Sequence, residues 1–124
     1  LFMGDTGEEA EQDISHVGKW LGADVIKIPH HGSRTSSGAE LLYEATPSVA
    51  VISVGRDNPF GHPSAEVLER LKGIKVLRTD RDGAIKITET MNGLDIKTYN
   101  DTVLEKADSP AAEWRNLKRL FSRW

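Results

Sequence analysis

Short apolar runs alternate along this chain with stretches of helical spacing, and that alternation restricts the fold more than any single motif. Residues 1–3, 25–28, 48–54 and 74–77 are strand-length runs rich in Val, Ile and Leu, as expected of strands buried in a sheet. Thr6-Gly7-Glu8-Glu9 is a capping-box pattern, and Ala10, Ile14, Val17 and Leu21 follow it at helical spacing until Gly22. Ser37-Gly38-Ala39-Glu40 repeats the pattern and predicts a short helix through Leu41, Leu42 and Ala45 that stops before Pro47. Pro63 is expected in the first turn of a third helix carrying Val67, Leu68 and Leu71, closed by Gly73. Strands that alternate with helices in this way predict an α/β fold, a sheet with helices over it.

The pattern then changes. Residues 84–88 and 94–98 alternate apolar and polar around Asn92-Gly93, which predicts a β-hairpin, and Asp82-Gly83 marks a tight turn before it. Residues 1–99 are therefore read as one domain and 100–124 as a tail. In the tail, Ser109-Pro110 starts a helix with Trp114, Leu117, Phe121 and Trp124 on one face and Arg115, Lys118, Arg119 and Arg123 elsewhere. That face is expected to dock on the domain core, with a membrane-surface or partner-binding helix as the alternative.

The bulk numbers exclude more than they specify. A chain of 124 residues is at most one small domain. With 16 basic and 19 acidic residues the net charge is −3, so no global basic field argues for nucleic acid. The absence of Cys removes disulfides and thiolate metal sites. No apolar run approaches the roughly 20 residues that cross a bilayer, and no signal peptide is legible. The opening run reads as a strand already under way, so a piece of a longer protein is expected.

The chemistry gathers where runs end. Gly4-Asp5-Thr6 closes the first run and Pro29-His30-His31-Gly32-Ser33 closes the second, with Asp5 and His31 26 positions apart. Carboxylate and imidazole are ligands for a borderline metal such as zinc, and strand ends are where an α/β sheet carries its chemistry. Asp5 also suits a plain helix-capping role. On an extended strand end, neighbouring side chains point to opposite faces, so His30 and His31 need not face one metal. Gly32, Ser33, Thr35 and Ser36 offer N–H groups and hydroxyls, and Arg34 offers charge, a combination that suits phosphate. For Thr35 and Ser36 ordinary loop and cap duties are the better account. His62 follows the third run, placed to touch substrate, to support a ligand from outside, or simply to pack at a helix start. His16 reads as a surface residue, and Asp80 and Asp82 as turn residues.

The ordered series resembles one family. Gly-Asp-Thr, a helix, Pro-His-His-Gly-Ser-Arg-Thr-Ser, a helix, Val-Gly-Arg-Asp-Asn-Pro-Phe-Gly-His-Pro and Arg-Thr-Asp-Arg-Asp-Gly is similar to the C-terminal half of a metallo-β-lactamase-fold hydrolase. The nearest likeness is to the lactamase-like domain of the ComEC competence proteins and their free-standing relatives. The resemblance implies half of an αββα sandwich, extended by the hairpin and the tail helix. It implies two zinc ions in the complete domain, with manganese as an alternative. Asp5 would bridge them, His31 would be a terminal ligand, and His30 would act catalytically on the leaving group or phosphate. Gly32, Ser33 and His62 would bind substrate, and the ribonuclease branch of the fold makes His62 a rival to His31 as ligand. The family's His-x-His-x-Asp-His motif is absent from this sequence. The implied partners are therefore a missing N-terminal half and a phosphodiester substrate, and the chain alone is expected to be inactive. DNA, cleaved by a nuclease during uptake, is the implied substrate, with small choline-phosphate esters as the alternative. A membrane enters only through a ComEC-like parent, which would put the domain on the extracytoplasmic face. The rival from another class is a degenerate, non-catalytic half-domain serving assembly or partner binding.

Overall fold

The computed structural model describes residues 1–100. The tail helix expected around Trp114, Leu117, Phe121 and Trp124 lies outside the described residues. The chain divides into two compact units, Leu1–Gly83 and a second that begins at Ala84.

The first unit is a parallel sheet of β1 (Val25–Lys27), β2 (Val49–Ile52) and β3 (Lys75–Arg78), in that order. Ile26 pairs with Ala50, and Ala50 with Val76. The opening run lies along the outer side of β1. Phe2 bridges Lys27 in parallel, Lys27 N–H donates to the Leu1 carbonyl at 2.8 Å, and the Leu1 amino group donates to the Val25 carbonyl at 2.8 Å. Parallel neighbours require crossovers. Helix α1 (Glu8–Ser15) leads into β1, α2 (Ala39–Ala45) joins β1 to β2, and α3 (Ala65–Arg70) joins β2 to β3. A helical turn, α4 (Thr79–Asp82), follows β3.

Period-two placement puts Ile26 and Ile28 on one sheet face with Ala50 and Ile52, all fully buried. Leu41 and Leu42 of α2, and Val67 and Leu71 of α3 and its cap, close over them. Each such aliphatic side chain stabilises the unit by about 1.5–3 kcal/mol. The mixed α/β architecture follows the sequence pattern. Among the described residues no helix is long and apolar enough to cross a membrane.

Several local expectations are corrected. The Thr6 hydroxyl donates back to the Met3 carbonyl, so Gly7 rather than Thr6 stands at the N-cap of α1. The helix stops at Ser15 and does not run to Leu21. Gly18 turns left-handed at φ +61, and residues Gly18–Leu21 form a separate 3-10 turn. Ser37 does not cap α2. It sits at φ +57, its hydroxyl is buried without a partner among the described residues, and Gly38 is the N-cap. Pro63 precedes α3, whose cap is Ser64, with Oγ accepting the Val67 N–H at 3.3 Å.

The second unit begins with an antiparallel hairpin, β4 (Ile85–Thr90) and β5 (Gly93–Thr98). Thr90 pairs with Gly93, so the connecting residues are Met91 and Asn92, one position earlier than the expected turn. Gly93, at φ +110, supplies the conformation that an L side chain resists.

Candidate functional site

Because the strands are parallel, their C-terminal ends share one edge, where open α/β sheets bind ligands. Asp5 follows the opening run, His30 and His31 follow β1, Ser53 follows β2 and Thr79 follows β3. The His30 N–H donates to the Gly4 carbonyl at 3.2 Å, so the backbones that carry Asp5 and the two histidines abut. Lys27, overlooked in the sequence, brings a cation to this edge. Its Nζ lies 3.5 Å from the Gly4 carbonyl and 3.3 Å from that of Ile28.

The histidines are not on an extended strand end, which corrects the premise used to separate their roles. His30 (φ 49, ψ 40) and His31 (φ 55, ψ 19) are both left-handed, and Gly32 continues at φ +83. Two adjacent left-handed non-glycine residues are strained, and such strain collects at functional sites. Both imidazoles are exposed.

His31 is oriented. Its Nδ1 lies 2.6 Å from the Ser53 carbonyl. A carbonyl only accepts, so Nδ1 carries a proton, and in the neutral ring the lone pair falls on Nε2. Metal-binding and proton-accepting histidines are held in this way, by a backbone acceptor on the far ring nitrogen.

The loop beyond the histidines is held by two residues that the sequence did not single out. The buried carboxylate of Glu11 accepts the N–H groups of Ser37 and Gly38 at 2.7 and 2.8 Å. Arg70 donates from Nε to the Ser37 carbonyl, and from one terminal nitrogen to those of Arg34 and Ser36, at 2.8–3.0 Å. Ser36 Oγ reaches the carbonyls of Pro29, at 3.1 Å, and Ser33, at 2.8 Å. Ser36 is therefore structural. Ser33 Oγ lies 3.2 Å from the Thr35 hydroxyl on the exposed side of the same loop.

His62 reaches this edge through its neighbours. Ser64 N–H donates to the Gly32 carbonyl at 2.9 Å, and a Cβ on Gly32 would stand 2.6 Å from Pro63 Cβ. The His62 ring is half-buried, with Nδ1 buried and without a partner among the described residues. Asp80 is paired with Arg78 at 2.6 Å. The Arg78 guanidinium, hydrogen-bonded to Asp80, holds its carboxyl below the ordinary value of 3.8.

No group of three or more His, Asp or Glu side chains among the described residues is placed to hold a metal ion. Asp5, His31 and His62 thus do not form a closed site on their own. What they define is an α/β unit whose parallel strands end in a carboxylate, two strained imidazoles and a clamped loop.

The matched relatives give that unit a context. The chain is 41% identical over 88 residues to ComE operon protein 3 of Bacillus subtilis, a match over 69% of this chain and 11% of that protein. It is 40% identical over 91 residues to competence protein ComA of Neisseria gonorrhoeae, 69% of this chain and 13% of that protein. Against recombination protein 2 of Haemophilus influenzae it is 37% identical over 100 residues, 78% of this chain and 12% of that protein. These relatives indicate a competence-related family. The chain spans 11–13% of their length. No family model matches the chain, and no solved structure is a significant match.

Proposed function

We propose that this chain is part of a metal-dependent phosphodiester hydrolase, acting on DNA during competence-linked uptake. The observation that carries the reading is His31. Its Nδ1–H is held by the Ser53 carbonyl, which leaves Nε2 as the ring atom for a ligand, on a turn whose backbone abuts the one carrying Asp5. The fold we propose is the C-terminal half of a metallo-β-lactamase sandwich, and the competence context of the relatives supports DNA as substrate.

The described residues group no complete metal donor set. In this reading Asp5 and His31 belong to that set, and the remaining donors come from elsewhere in a longer protein. Zinc is the favoured ion and manganese the second choice. A divalent ion in such a site supplies a water activated near neutral pH. The chain's own residues do the rest. His30, exposed on the strained turn, carries a proton to or from the leaving oxygen. Gly32 and Ser33 face the phosphate, and Lys27 adds positive charge at the same edge. His62 supports the turn from the next loop. The proposed location is the outer face of the cytoplasmic membrane, as part of a membrane-bound parent.

The test compares metal content and bis-p-nitrophenyl phosphate hydrolysis for this chain, the longer protein and its Asp5→Asn variant. The longer protein should bind metal and hydrolyse the ester, the variant should lose most activity, and the chain alone should be inactive. An amide cannot hold two cations as a carboxylate does. A longer protein without metal or activity would favour the assembly module instead.

A further inference from the structure

The loop between β2 and α3 holds a phenylalanine out to solvent. Phe60 is 77% exposed, yet its ring is stacked on His62, with centroids 6.0 Å apart and planes at 22°. The imidazole lies alongside the ring at an offset, and most of the ring is open to solvent. The loop is not slack. Asn58 donates from Nδ2 to the carbonyls of Gly55, at 3.0 Å, and His62, at 2.8 Å, and its Oδ1 accepts the His62 N–H at 2.9 Å. The end of the loop is fastened to the histidine turn through Ser64 and Pro63 on Gly32. A flat apolar ring therefore stands open to water on a braced loop whose end is fastened to the histidine turn, against the usual tendency to bury it. Arg56 is exposed on the same loop, its Nε donating to the Asp80 carbonyl at 3.3 Å, and Arg34 is exposed just beyond the histidine turn.

We infer that Phe60 is a stacking platform for a nucleobase, and that the nucleic acid offered to the histidine turn is single-stranded. The inference rests on the phosphodiester reading above and narrows it. A base inside a duplex has both faces covered by its neighbours, whereas an unpaired base offers a face to an aromatic ring. The exposed arginines suit the phosphates that accompany such a base.

The experiment is fluorescence anisotropy on the whole chain with a labelled short oligothymidylate, its duplex, and an abasic strand of equal length. The chain should prefer the single strand. Phe60→Ala should weaken oligothymidylate binding by about 5- to 150-fold and leave binding of the abasic strand unchanged. Phe60→Trp should restore affinity, and Phe60→Leu, apolar but not aromatic, should behave like the alanine variant. Equal binding by wild type and Phe60→Ala would overturn the inference, as would full affinity in Phe60→Leu, an equal loss on the abasic strand, or no binding by the wild type. None of these readings involves hydrolysis, so a failure here is separate from a failure of the Asp5→Asn test.

Discussion

Glu11 shows how far one side chain acts along this sequence. Its carboxylate, on a residue only 3% exposed, takes two N–H groups from residues 26 and 27 positions further on. Glu11→Ala would leave both donors unpaired, that of Ser37 buried and that of Gly38 half-buried, which should cost about 2–5 kcal/mol, read as a fall in the urea midpoint. In the sequence Glu11 is an acidic residue in the first turn of a helix, where solvent is the ordinary partner. Local spacing therefore points to Ser37, the nearest residue of the right chemistry, as the cap of α2. Asp5, His30 and His31 were legible for the opposite reason. They stand directly after apolar runs, among Gly, Pro and Ser, where local composition marks a strand end. Their shared edge followed from strand order alone, but the left-handed turn did not. His31→Asn is the sharper probe of that residue. The amide keeps a donor near the Ser53 carbonyl but lacks the second ring nitrogen, so the fold should survive by circular dichroism while the longer protein loses metal.

Among the elements, the strands and the order of helices were readable because burial imposes period two or helical spacing on apolar residues. Helix ends were less readable. The end of α1 depends on Gly18 turning left-handed, and the apolar spacing continues past it to Leu21. The junction of the β1 and β2 loops depends on a contact no local pattern contains, Pro63 against Gly32. Gly32→Ala places a Cβ 2.6 Å from Pro63 Cβ, in a residue at φ +83. Left-handed strain of about 1–2 kcal/mol adds to about 1–3 kcal/mol of overpacking. The variant should melt markedly lower, and NMR shifts should move at both His31 and His62. Asn58→Ala should act more narrowly, speeding amide exchange across residues 55–62 with little loss of global stability, because the core strands are untouched.

At the scale of the molecule, the Arg78–Asp80 pair links stability to pH. Its two side chains are 12% and 11% exposed. The folded pKa of Asp80 is lowered by its hydrogen bonds to Arg78, so its stabilising contribution is complete above the ordinary value of 3.8. That contribution is lost as pH falls through the folded value. Asp80→Asn should cost about 1–3 kcal/mol at neutral pH, and the difference from wild type should vanish in strong acid, as denaturant titrations at several pH values would show. The histidine turn bears on the same total in another way. A left-handed L residue is disfavoured by about 1–2 kcal/mol, while glycine is favoured there and loses only about 0.5–1 kcal/mol to chain entropy. A chain selected for thermal endurance alone would carry glycine at position 30. His30→Gly should match or exceed the wild-type melting temperature while the longer protein loses hydrolysis, so that endurance and activity rank the two residues in opposite orders.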